Sequence, residues 1–192
     1  MPQHAVTPDG RILLDGEAIG RTLSRIAHEI IERNDELEDV ALVGIHTRGV
    51  PLAQRLRRLI EERSDVEVGL GQLDITFHRD DVHVRPGASP RRPQPLVRDT
   101  KLDFELEGRT VILVDDVLYT GRTIRAAMNE LFDYGRPESI ALVVLADRGG
   151  RQLPICPQYC GANVEVPAGM RLTLKKEDSG KLKLALEASR GA

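Results

Sequence analysis

Apolar residues recur at helical spacing at Ile19, Leu23, Ile26, Ala27, Ile30 and Ile31, which predicts an amphipathic helix near the start of the chain. Asp15 is placed to cap it near Gly16, and Asn34 with Asp35 ends it. The unbroken apolar run Val40–Ile45 reads as a short strand. Thr47-Arg48-Gly49 forms a loop, and Pro51 opens a second helix with Leu52, Leu56, Leu59 and Ile60 inward. Residues 66–77 read as strand material broken by Gly69 and Gly71. Residues 110–114 and 140–146 are near-continuous apolar runs, the pattern of parallel strands buried on both faces. Between them a helix is expected from about Thr120, with Ile124, Ala127, Met128, Leu131 and Phe132 inward, ended by Gly135 and Pro137. Residues 147–169 show no period and read as irregular. Leu172 and Leu174, then Leu182, Leu184 and Leu186, alternate with polar residues around Asp178-Ser179-Gly180, which predicts a C-terminal hairpin. Residues 78–101 carry Pro86, Pro90, Pro93 and Pro95 among many charges with no period, as expected of a mobile arm.

Strands alternating with helices predict an α/β fold, a mostly parallel open sheet flanked by helices with right-handed crossovers. Ligands in such sheets bind at the carboxyl ends of strands, so residues 46–49, 115–123 and 147–155 are the candidate site. A length of 192 residues suits one domain over residues 1–192. The arm is expected at about 76–101, a hood segment at about 147–170 and the hairpin at about 170–188. No apolar run reaches the length of a membrane span, and Met1 to Arg11 lacks the basic-then-apolar order of a secretory signal. A cytoplasmic protein is expected. The net charge of −3 excludes a globally basic nucleic-acid footprint but leaves room for a local patch. Aromatics at 3%, without tryptophan, argue against a stacking platform for single strands. Cys156 and Cys160 fit neither a zinc knuckle nor a redox pair, so free thiols are expected.

The segment with the most chemistry runs from Val111 to Thr123. A buried strand delivers Asp115 and Asp116 at its carboxyl end, and Thr120-Gly121-Arg122-Thr123 then opens a helix. Unpaired amides at a helix N-terminus favour an anion, Gly121 admits a close approach, and the threonines add hydroxyl donors. No lysine follows the glycine, so this is not a nucleotide-triphosphate loop. Paired acids accept hydrogen bonds from a vicinal diol, and a phosphate seat beside a diol seat describes a 5-phosphoribosyl group.

This segment closely resembles the signature of the type I phosphoribosyltransferases, which bind 5-phosphoribosyl-1-pyrophosphate (PRPP). Further segments narrow the resemblance to the PyrR family: Arg25-Ile26-Ala27-His28-Glu29, Val43-Gly44-Ile45-His46-Thr47-Arg48-Gly49, Leu73-Asp74-Ile75-Thr76-Phe77-His78-Arg79-Asp80-Asp81, and Asp147-Arg148-Gly149 with Leu153-Pro154-Ile155. The match covers most of residues 15–163, in order. It implies the type I phosphoribosyltransferase fold and a bifunctional protein: a uracil phosphoribosyltransferase, converting uracil and PRPP to UMP and pyrophosphate, that also regulates pyrimidine genes by UMP-responsive attenuation through leader RNA. It further implies a homodimer or homotetramer.

The resemblance assigns roles residue by residue. Asp115 and Asp116 would hold the ribose hydroxyls. Val117, Leu118, Tyr119, Thr120, Gly121, Arg122 and Thr123 would hold the 5-phosphate. Thr47, Arg48 and Gly49 would hold pyrophosphate, and Arg79 in the arm is a candidate second cation there. Mg²⁺ would enter with PRPP near Asp115 and Asp116, with no direct protein cage. Arg148, Gly149, Leu153, Pro154 and Ile155 would form the hood over the base. No lysine stands near Asp147 of the kind expected for a purine 6-oxo group, which favours a pyrimidine. Arg21, Ser24, Arg25 and His28 share one helix face, which the resemblance assigns to an RNA stem-loop with Arg33 and Arg151. The chain departs from the family where Gly150 replaces a typical histidine, Ala162 a lysine, and residues 164–170 the usual Pro-Thr-Ser-Lys-Ser-Glu. Two alternatives stand beside this reading: a UMP-sensing RNA-binding module with little turnover, and a purine phosphoribosyltransferase.

Overall fold

A computed structural model of the chain describes residues 11–76 and 99–189. The element order is β1 (Ile12–Leu14), α1 (Gly16–Arg33), β2 (Val40–Ile45), α2 (Gly49–Ser64), β3 (Gly69–Leu73), β4 (Lys101–Leu102), β5 (Thr110–Leu118), α3 (Arg122–Tyr134), β6 (Ser139–Asp147), β7 (Tyr159–Asn163), β8 (Met170–Lys176) and β9 (Leu182–Ala188). A six-stranded sheet runs β4-β3-β2-β5-β6-β7, and a three-stranded sheet runs β1-β9-β8. In the larger sheet β3, β2, β5, β6 and β7 are parallel, and only β4 pairs antiparallel, with β3.

The apolar runs form strands because both faces of the sheet are covered. Along β5, Ile112 and Val114 enter one core with α1, α2 and the small sheet. Val111 and Leu113 enter the opposite core with Ile124, Ala127 and Leu131 of α3. Two-residue periodicity thus sorts one continuous run into two cores. From β2 the chain moves one way through α2 to β3, and from β5 it moves the other way through α3 to β6. The strand order therefore reverses between β2 and β5, at a topological switch point where such sheets leave a crevice.

Helix α1 begins as the pattern predicts, with Asp15 accepting a hydrogen bond from the Ala18 amide at 2.8 Å. Four expectations are corrected. Gly69 and Gly71 lie inside β3 rather than breaking it, because the neighbouring chain comes too close for side chains: a Cβ at Gly71 would stand 2.6 Å from Leu102 Cδ2. Helix α3 starts at Arg122, after the turn, not at Thr120. Phe132 is 39% exposed, one position off the buried stripe, with the Arg136 guanidinium 5.2 Å from its ring centre. Residues 147–169 are not wholly irregular, since Tyr159–Asn163 is β7, the edge strand beside β6. The arm expected at 76–101 lies mostly outside the described residues, as does Arg79; at its far end Lys101–Leu102 forms β4. Cys156 and Cys160 are free thiols.

Candidate functional site

Three loops meet at the carboxyl ends of β2, β5 and β6. Gly49 is what lets the first of them close on the second. A Cβ there would stand 2.0 Å from the Val114 carbonyl oxygen, so the start of α2 packs directly on β5. This brings Arg48 to the switch point, where its guanidinium lies 3.7 Å from Asp116 Oδ2. Thr47 and Arg48 are exposed there, and Gly49 is buried.

Asp115 and Asp116 are both buried, at 7% and 8% exposure. The Asp116 amide donates to Asp115 Oδ1 at 2.8 Å, and the Val117 amide donates to Asp116 Oδ1 at 3.0 Å. Asp116 Oδ2 is left buried without a hydrogen-bond partner among the described residues. An orphaned carboxylate oxygen is costly unless a ligand completes it. Burial, then the neighbouring Asp116 carboxylate, push the Asp115 carboxyl well above the ordinary aspartate range. Such a pair is satisfied by hydroxyl donors or a cation. Carboxylate oxygens are also the hard donors that Mg²⁺ prefers, so the residues present fit that ion.

The helix starts differ in a telling way. Asp15 caps α1 with its side chain, whereas α2 and α3 have no side-chain cap. Both uncapped starts lie at the strand ends that carry Arg48 and the acid pair. Without a side-chain cap, each start presents first-turn amides to an anion, reinforced by the helix dipole. The turn into α3 needs Gly121, whose φ is 91°. A Cβ there would touch Leu153 and Ile155 at 3.3 Å, so the hood rests on this turn. Thr120 and Thr123 are half-buried on either side, and Thr120 Oγ1 accepts weakly from the Arg122 amide at 3.4 Å. Val117 is half-buried, Leu118 points into the core, and Tyr119 is 48% exposed.

The hood is bonded to the same turn. The Gln152 and Leu153 amides donate to the Thr120 carbonyl at 3.0 and 3.2 Å, and the Arg148 amide donates to Leu118 at 3.0 Å. Arg122 Nε donates to Gln152 Oε1 at 2.9 Å. Arg151 pairs with Asp147 and donates to the carbonyls of Ile155 and Tyr119 at 2.9 and 2.8 Å. A cleft of about 540 Å³ opens beside the hood, lined by Tyr119, Arg148 and Gly150 on one side and residues 166–170 with Ser189 on the other. Gly149 is exposed, and Pro154 is exposed between the half-buried Leu153 and Ile155.

The six residues assigned to RNA all hold intramolecular partners. Arg21 lies 3.8 Å from Glu17 and His28 lies 3.3 Å from Glu32. Ser24 accepts from Arg63 at 2.9 Å. Arg25 pairs with Glu29 and donates to the carbonyls of Cys160 and Gly161, both at 2.9 Å. Arg33 donates to the Gln158 carbonyl at 3.1 Å and lies over the Tyr159 ring. Arg151 belongs to the hood network described above. Sequence reasoning put residues 166–170 in the hood without showing that they face Tyr119 and Arg148 across a cleft, and it missed the clamp of Arg25 and Arg33 on β7. The only signal for the clamp was positional, arginines four and then eight residues further along the helix from Arg21.

Residues 10–167 match the model of the phosphoribosyl transferase domain family. The chain is 54% identical over 152 residues to the Bifunctional protein PyrR of Deinococcus radiodurans, covering 79% of this chain and 80% of that protein. It is 48% identical over 176 residues to the Bifunctional protein PyrR of Clostridium novyi, covering 89% and 96%. Among solved structures, the hypoxanthine phosphoribosyltransferase of Trypanosoma cruzi superposes with a TM-score of 0.65 at 17% identity, covering 94% of this chain and 97% of that one. That likeness speaks to the fold alone.

Proposed function

The chain belongs to the PyrR family of phosphoribosyl transferase domain proteins, and from that premise we propose that it transfers a 5-phosphoribosyl group from PRPP to uracil, giving UMP and pyrophosphate. The observation that carries this reading is the arrangement at the switch point. Two helix starts without side-chain caps flank a buried acid pair that has an orphaned oxygen. PRPP has the matching order of groups: an anion at each end and a diol between them.

The α3 turn holds the 5-phosphate through its free amides and the hydroxyls of Thr120 and Thr123. The α2 start, with Thr47 and Arg48, holds the pyrophosphate. Asp115 and Asp116 accept hydrogen bonds from the ribose hydroxyls and face the positive charge that develops on the sugar as its C–O bond breaks. Catalysis is then positioning and fixed charge, and no histidine need act as a base. Asp115 and Asp116 would hold a Mg²⁺ entering with PRPP, and that ion would supply charge neutralisation for the pyrophosphate. Arg148 and the backbone of residues 149–155 present donors and acceptors to the base edge. Arg79, outside the described residues, is assigned to the pyrophosphate by resemblance alone.

The test is turnover of the full chain with PRPP, Mg²⁺ and uracil, with hypoxanthine and guanine run alongside. UMP formation in preference to purine nucleotides supports the reading. Purine products in excess would favour the purine alternative, and no product across a broad pH range would remove the transferase.

The regulatory half of the proposal is UMP-responsive binding of a pyrimidine leader RNA, in a homodimer or homotetramer, and it rests on the relatives' shared name and on the α1 face. Because Arg21, Arg25 and Arg33 hold protein partners, RNA phosphates must compete for them. A gel shift that tightens with UMP and weakens with salt supports this half. Absent or salt-indifferent binding would leave the transferase alone.

A further inference from the structure

The cleft beside the hood contains an arginine held in an unusual way. Among the described residues no carboxylate lies within ion-pair distance of Arg148, and its Nε is buried without a hydrogen-bond partner. Its neighbours are fixed by polar bonds: Arg122 to Gln152, and Arg151 to Asp147. Arg148 instead has its guanidinium carbon 4.1 Å from the centre of the Tyr119 ring. At that distance the ring face attracts the cation and fixes its plane.

The Tyr119 ring is itself placed by glycine. Gly150 adopts φ 74°, and a Cβ there would stand 2.4 Å from Tyr119 Cε2 and 3.0 Å from Cδ2. Any other residue would be strained at this φ and would push the ring aside. The hood backbone therefore lies against the ring edge, Arg148 covers the ring face, and both border the cleft.

We propose that Tyr119 is a positioning residue for the base, acting through Arg148, and that Gly150 is the residue that permits it. The proposal rests on the reading that the base sits beneath the hood. The relay runs from Gly150 to the ring, from the ring to the guanidinium, and from the guanidinium to a carbonyl acceptor on a planar heterocycle. The tyrosine hydroxyl has no part in it. The phosphate contacts of the α3 turn run through backbone amides and threonines, so they do not depend on the Tyr119 side chain.

Steady-state kinetics of the full chain, with uracil and PRPP varied separately, test the relay. If the parent chain makes no UMP, the transferase reading fails and this inference falls with it. With an active parent, Tyr119→Leu should raise the KM for uracil about tenfold, the size of a partly desolvated cation–π contact, while the KM for PRPP stays within about twofold. Tyr119→Phe should recover most of that loss. Gly150→Ala should move the uracil KM in the same direction as Tyr119→Leu. In an Arg148→Lys background, Tyr119→Leu should cost much less than in the parent, since the two act as a unit. The proposal is overturned if Tyr119→Leu leaves the uracil KM unchanged or raises the PRPP KM equally. It is likewise overturned if Tyr119→Phe behaves like Tyr119→Leu, or if the two losses simply add.

Discussion

Asp115 and Asp116 are adjacent in sequence but differ in their surroundings, and the difference is measurable. Burial and the nearby Asp116 charge raise the Asp115 carboxyl well above the ordinary aspartate range. The folded chain therefore keeps a proton at pH values where the unfolded chain has lost it. Native protein binds more protons in that window, so stability falls as pH rises from the ordinary aspartate value through the folded one. Asp115→Asn is neutral throughout, so its melting temperature should gain on the parent as pH rises across the window. A margin that stayed flat would show that Asp115 is not raised. Asp116 Oδ2 is buried without a hydrogen bond, and if its charge faces the transition state as proposed, Asp116→Asn should lower kcat by about a hundredfold or more. Arg48 is half exposed beside Asp116 and is proposed to hold the pyrophosphate, so Arg48→Ala should raise the KM for PRPP about tenfold with the uracil KM little changed. Initial rates with each substrate varied would separate these effects.

At the scale of elements, the hood and the strands beneath it are held by contacts that sequence spacing hides. β7 is the edge of the large sheet, and its carbonyls at Cys160 and Gly161 accept from Arg25 of α1. Arginines on a strand edge both satisfy its backbone and obstruct pairing with another chain. Arg25→Ala should therefore cost about 1–2 kcal/mol in denaturant unfolding, with faster amide exchange concentrated in β7. Unchanged exchange in β7 would show that the clamp adds nothing. The turn into α3 gives a second case. Gly121 has φ 91° and hood atoms at 3.3 Å from its missing Cβ, so Gly121→Ala should lose about 1–2 kcal/mol and also weaken PRPP binding. Calorimetric titration with PRPP, set beside a thermal melt, would report both.

Across the whole molecule, the crevice follows from the crossover directions. α2 packs on one face of the sheet and α3 on the other, which sends neighbouring strands apart and leaves their loops facing each other. Among the described residues no helix is long and apolar enough to cross a membrane. With a net charge of −3, the proposed attraction to RNA would have to come from a local patch. The slope of log affinity against log salt should then correspond to only a few phosphate contacts, and Arg21→Ala should make it shallower. A slope that Arg21→Ala does not alter would place the RNA elsewhere.

Much of the fold was legible in the sequence because buried parallel strands and amphipathic helices write their burial directly into residue order. Val40–Ile45, the α1 stripe and the hairpin leucines fell where their periods put them. The paired acids and the Thr-Gly-Arg-Thr turn were legible for a similar reason, since one strand end and one helix start lie within a few residues of each other. What the sequence alone could not supply were relations between distant segments. It did not show that Gly69 and Gly71 accommodate β4 and its flank, that β1 joins the hairpin, or that β7 exists as an edge strand clamped by α1. Nor did it show Tyr119 lying between Arg148 and Gly150. Local pattern reports how often a residue is buried, whereas only the folded chain decides which residue does the burying.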